Sequence, residues 1–170
     1  PMLNRILIVF FCLALSGCYL QSKEPLFSDT EGELMLASLG SRFASYSWDN
    51  GNWKEDKETI GFTAEGRHYV VSDDRSRFTI TFAAIATSWW AMQAEEKGKS
   101  ITYSLIEAKD GALLLYPLSC KPLHESGKFE DFIAFNDDDC FVKDGVDKLQ
   151  MFKALATQPG QPNMKLVLLP

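Results

Sequence analysis

The side chains able to do chemistry are few, and their spacing points away from catalysis. The histidines are His68 and His124. Either would act as a general base only within reach of a nucleophile or a paired carboxylate. The chain has no Gly-x-Ser-x-Gly elbow and no glycine-rich phosphate loop, so both read as surface histidines. Asn136-Asp137-Asp138-Asp139 gathers carboxylates, which suits Ca²⁺. It lacks the turn glycine and closing glutamate of an EF-hand, and a solvated acidic loop is the expectation. The four cysteines, Cys12, Cys18, Cys120 and Cys140, form no Cys-x-x-Cys pair. A zinc site would have to recruit both histidines without local ligand spacing. No catalytic residue, metal site or cofactor is expected, and the chain reads as a non-enzyme.

Aromatic residues are the second resource. Trp48, Trp53, Trp89 and Trp90 stand among many Phe and Tyr. They are candidate ligand-binding residues if they line an apolar pocket. The plainer alternative is that they fill the core of a small β domain. Trp89-Trp90 is informative under either reading, because neighbours on a strand face opposite ways.

The start of the chain carries an address. A polar lead with Arg5 precedes ten apolar residues, Ile6 to Leu15. That run is too short to span a bilayer, which takes about 20 residues, and its layout is that of a secretory signal peptide. It ends in Leu15-Ser16-Gly17-Cys18. This tetrapeptide resembles the lipobox of bacterial lipoproteins (Leu-Ser/Ala-Gly/Ala-Cys) at all four positions. The resemblance implies that Cys18 is diacylated, that cleavage occurs before it and that the new amino terminus is acylated. One acyl chain binds a membrane marginally and two or more bind stably, so the bilayer becomes a partner through Cys18. Lipoproteins kept at the inner membrane often carry Asp next to the lipidated Cys. Tyr19 stands there instead, which implies the outer membrane, facing the periplasm. In that exported setting Cys12 is removed and Cys18 modified. Cys120 and Cys140 remain, and an oxidising compartment makes a disulfide their expected state.

Three segments follow: 1–17 as the cleaved signal peptide, 18–28 as the lipidated cysteine and a tether, and 29–170 as a single β-rich domain. Removing the one charge in 1–17, Arg5, takes the net charge from −6 to −7. Such acidity argues against nucleic acid as a partner, since its recognition needs a basic footprint. It argues equally against a polybasic grip on anionic lipid.

Several elements can be read from pattern. Ser28 and Glu31 have capping-box spacing, with Leu34 to Leu36 as a short helix to follow. The mixed charges Lys54 to Glu58 read as a solvent-exposed loop or face. Phe78 to Phe82 alternates at period 2, and apolar runs recur at Ile101 to Glu107 and Leu113 to Tyr116. Asp110-Gly111 between two such runs is a hairpin signal. Turns at intervals of roughly ten residues mark an antiparallel meander. Phe129 to Phe135 reads as helical or irregular. Asp144 is placed to cap a helix over Val146 to Ala156, with Leu149, Phe152, Leu155 and Ala156 on its inner face. Lys165 to Leu169 closes the chain as a strand. The expectation is an α+β domain: mainly an antiparallel β-meander of about six to eight strands, open or a partial barrel, with one C-terminal helix.

Two functional expectations result. One is an envelope lipoprotein that binds or scaffolds an envelope protein or a cell-wall component. The other is a carrier or sensor of a small apolar ligand in an aromatic-lined β-barrel pocket.

Overall fold

A computed structural model of the chain describes residues 19–38, 42–72 and 76–170. The segment expected to be the signal peptide and lipobox, residues 1–18, lies outside these residues.

The meander forms through the middle of the chain. Strands β5 (His68–Ser72), β6 (Arg77–Ala86), β7 (Trp89–Glu96), β8 (Ile101–Lys109) and β9 (Ala112–Pro117) pair antiparallel in sequence order. β4 (Thr63–Glu65) pairs with β5. Asp110 and Gly111 turn β8 into β9 with φ of 51° and 75°. Two positive φ values fit the hairpin turn whose twist matches its strands. Asn50 and Gly51 do the same between β2 (Arg42–Asp49) and β3 (Asn52–Gly61), with φ of 49° and 87°. The closing strand β12 (Met164–Leu168) lies between β2 and β9, antiparallel to both. The sheet order is therefore β3-β2-β12-β9-β8-β7-β6-β5-β4.

This order decides between open sheet and barrel. The edge strands β3 and β4 are separated in the chain by Phe62 alone. Consecutive Cα atoms lie about 3.8 Å apart, so the sheet must curl until its edges meet at that corner. The result is a curled half-barrel. Phe62 seals the corner from inside, its ring centroid 5.8 Å from Phe43 and 6.0 Å from Tyr69.

Alternation along β6 to β9 feeds two cores. Phe78, Ile80, Phe82, Met92, Ile106 and Leu115 pack inside the curl. Ala83, Ala91, Tyr103, Leu105 and Tyr116 pack outside it, under a second layer. That layer contains β1 (Leu20–Ser22), α1 (Cys120–Ser126), β10 (Ile133–Asn136), β11 (Asp139–Val142) and α2 (Lys148–Ala156).

Several expectations are corrected here. The described residues hold twelve strands and two α-helices rather than six to eight strands and one helix. α1 was not expected, and Phe129 to Phe135 is a turn leading into β10. Asp147, not Asp144, caps α2, accepting the Gln150 N–H at 3.0 Å. The inner face of α2 is Met151, Phe152 and Leu155, while Leu149 is 40 % exposed. Lys148 explains this rotation: its Nζ reaches the Leu26 carbonyl at 2.6 Å and the Glu31 carboxylate at 2.6 Å. The charge run Lys54 to Glu58 lies on edge strand β3, where charge deters pairing with other chains. Within it Asp56 accepts hydrogen bonds from Ser45 and Ser47 at 2.9 and 2.8 Å.

The capping box forms only in part. Glu31 accepts the Ser28 N–H at 3.0 Å, but a single turn and then a 3₁₀ turn at Met35–Ser38 follow in place of an α-helix. Gly32 gives the reason: a Cβ there would collide with the Arg67 carbonyl oxygen, so the chain is pressed flat onto the β4–β5 turn. The Lys148 ammonium, with the Ser28 N–H, holds the Glu31 carboxyl below its usual range.

The largest correction concerns the tether. From Tyr19 onward, segment 18–28 belongs to the domain. Tyr19 bridges Ser119, Leu20 and Gln21 run parallel to Cys140 and Phe141, and Gln21 and Ser22 pair with Thr102 and Ile101. Leu20 is 0 % and Phe27 4 % exposed. A buried polar network holds the segment down, as buried backbone requires. The Gln93 amide accepts the Phe27 N–H at 2.9 Å and donates to the Phe27 carbonyl at 3.0 Å. The Tyr103 hydroxyl accepts the Leu26 N–H at 3.1 Å and meets Ser22 Oγ at 2.7 Å.

Burial pushes the Tyr103 phenol up to about 12. Unfolded, it titrates near 10. The folded state holds this proton more tightly, so the associated stability is complete below about pH 10 and fades as pH rises toward about 12. Tyr116 adds the same sign. Urea unfolding across that window should show stability falling less steeply in Tyr103→Phe than in the parent; an unchanged slope would remove Tyr103 as a cause.

Candidate functional site

The second layer sits over the outer side of β6 to β8. Over β12 and β2 the outward side chains Lys165, Val167, Tyr46 and Trp48 are half-exposed or exposed, whereas Phe43, Met164 and Leu166 on the inner side are buried. Strand register fixes what stands on this open area. Trp89, Glu107, Leu114, Lys165, Tyr46 and Glu55 are directly opposed in turn across six adjacent strands. Directly opposed residues share a face. Two positions along their strands, Tyr116 and Trp48 project the same way.

At the hairpin end, Trp48 and Trp53 oppose each other with ring centroids 5.1 Å apart, edge to face. Trp48 is 38 % exposed. Lys165 Nζ lies 4.7 Å from the Tyr46 ring centroid and 5.3 Å from that of Trp53. The negative ring faces attract the ammonium and hold it over the patch. At the other end, Trp89 packs 5.2 Å from Tyr116, whose hydroxyl donates to Glu107 at 2.6 Å. Burial, reinforced by Glu107, pushes the Tyr116 phenol well up. It is a fixed donor near neutral pH rather than an acid or base.

Trp90, next in the chain, faces inside the curl and donates its indole N–H to Glu33 at 3.1 Å. The four tryptophans thus do not converge on one pocket. Trp48, Trp53 and Trp89 share the outer face, and Trp90 lies on the other side of the sheet. Aromatic and aliphatic side chains fill the interior. A cavity of about 180 Å³ opens near the β8–β9 turn, lined by Phe43, Leu113, Leu166 and Leu168 together with residues 108–112. None of the tryptophans lines it. It is smaller than the roughly 300–1,000 Å³ of usual small-ligand sites.

The remaining candidates stand apart. His68 Nδ1 lies 3.4 Å from Asp29 Oδ1, and the His124 ring stacks on Phe135 at 4.7 Å. Asn136 to Asp139 spans the β10–β11 turn. Among the described residues no group of three His, Cys, Asp or Glu side chains converges as metal ligands do. Cys120 and Cys140 are bonded, with Cα atoms 5.4 Å apart, joining α1 to β11. Sequence reasoning missed Lys165 and Leu114 as members of the patch. Tyr46 and Trp48 could have been paired by their spacing of two. Lys165 joins them only through the β12–β2 pairing, a contact between chain ends that no local pattern signals.

Compared with protein-family models, with curated proteins and with solved structures, the chain has no match.

Proposed function

We propose that this chain is a periplasm-facing lipoprotein of the cell envelope, anchored to the outer membrane by acylated Cys18. Its domain works as a non-enzymatic binding or scaffolding module for an envelope protein or a cell-wall component. The carrying observation is the tetrapeptide Leu15-Ser16-Gly17-Cys18, which stands directly before Tyr19, the residue that bridges Ser119. A further observation supports the reading: the outer face offers a half-exposed aromatic band that a partner could cover. Among the described residues no helix is long and apolar enough to cross a membrane.

Cys18→Ala is the direct test. Metabolic fatty-acid labelling should be lost and an uncleaved precursor should accumulate. Labelling at the level of the parent chain would refute the anchor.

A further inference from the structure

We propose that the Trp48–Trp53 hairpin end is a second membrane contact, seated with Tyr46 and Lys165 in the headgroup layer of the bilayer that holds Cys18. The inference rests on the anchor reading above and adds an orientation to it.

The domain's backbone begins its pairing directly after residue 18. Leu20 donates its N–H to the Leu118 carbonyl at 2.8 Å, and Tyr19 bridges Ser119. The Cα of the preceding residue is one peptide unit, about 3.8 Å, from that of Tyr19. A lipid carried there holds the domain close to the surface, and the parts of the domain around this exit are the ones placed nearest the bilayer.

Sheet order places the tryptophan hairpin at the same end as this exit. Ser119 lies just beyond the end of β9. β12 is the neighbour of β9, and β2 the neighbour of β12. Asn163 donates to the Leu115 carbonyl and accepts the Trp48 N–H at 3.1 Å. Trp48 therefore stands two strand spacings, roughly 10 Å, across the sheet from the end of β9. The exposed tryptophan and the exit toward Cys18 share one end of the sheet.

Tryptophan and tyrosine favour the membrane–water boundary, where one end of the ring is dry and the other wet. Lys165 lies along these rings and holds its ammonium over them, where a lipid phosphate at the patch would meet it, as snorkelling lysines do. Other charges select the lipid. The parallel β1–β11 register brings the acidic β10–β11 turn, Asp137 and Asp138, alongside the exit, and Asp49 and Glu55 rim the patch. These carboxylates oppose an anionic surface. The seat fits zwitterionic headgroups such as phosphatidylethanolamine.

The experiment uses the lipidated chain reconstituted in zwitterionic phospholipid vesicles with brominated acyl chains, read by tryptophan emission. Up to half of the emission should be quenched relative to unbrominated vesicles, since the patch holds two of the four tryptophans. Trp48→Phe with Trp53→Phe, checked by circular dichroism for an unchanged fold, should abolish that quenching. A second arm replaces the lipid: the chain from residue 18 with Cys18→Ser, six histidines directly before it, is bound to nickel-chelating lipid in the same vesicles. Quenching in this arm, with no acyl group found on the native chain, would refute the anchor and uphold the seat. Absence of quenching in both arms, with the patch still open to iodide, would overturn the seat. Loss of iodide access only on adding peptidoglycan fragments or envelope protein would also overturn it, in favour of that occupant.

Discussion

Phe152→Ala should lower the unfolding free energy by about 3–5 kcal/mol, the usual cost of emptying a fully buried aromatic site. Phe152 is 0 % exposed on the inner face of α2. Its ring centroid lies 5.4 Å from Phe27 and 5.7 Å from Tyr103. It therefore presses the Phe27 segment onto the outer side of the sheet at Tyr103. For a domain of this size each kcal/mol moves the melting temperature by roughly 2–4 °C, so a drop of about 10 °C is expected. Thermal and urea unfolding of the two proteins give the value. A loss below about 1 kcal/mol would mean that α2 does not clamp the amino-terminal segment.

Removing the disulfide comes next in size. The Cys120→Ala, Cys140→Ala variant should lose about 3 kcal/mol, the chain-entropy value for a loop of this length. The bond has a local consequence as well. β1 is held between β8 and β11, and the disulfide ties β11 to the segment that leaves β9. Without it, amide exchange at Leu20 and Gln21 should accelerate more than exchange at the centre of β7. Equal melting temperatures, or two alkylatable thiols in the denatured, unreduced parent, would remove the bridge from the account.

The strands that were legible share a cause. Phe78 to Phe82 and Leu113 to Tyr116 combine β-prone residues with local turn chemistry, and Asp110-Gly111 names its own hairpin. What escaped depends on distant partners. β1 is three residues long, with polar Gln21 and Ser22 inside it, and only its pairing with β8 and β11 makes it a strand. α1 has seven residues with a proline among them, too few for a periodic pattern. Leu149 and Met151 exchange roles because Lys148 turns α2 toward Glu31 and Leu26. At the candidate site the aromatic residues were visible by type. Trp89 and Trp90 were correctly expected on opposite faces, but membership of the patch is set by sheet order, which places β12 between β2 and β9. The disulfide partners were legible from the compartment implied by Leu15 to Cys18. The pairing of Tyr19 with Ser119 was not.

Mounting on a membrane through Cys18 is read by the intact mass of the protein extracted from membranes of its own expressing cells, with fragmentation of its amino-terminal peptide. A chain beginning at Cys18 that carries a thioether-linked diacylglycerol and an amide-linked acyl group is expected. A chain retaining residues 1–17, or one beginning at or after Cys18 without lipid, would contradict it.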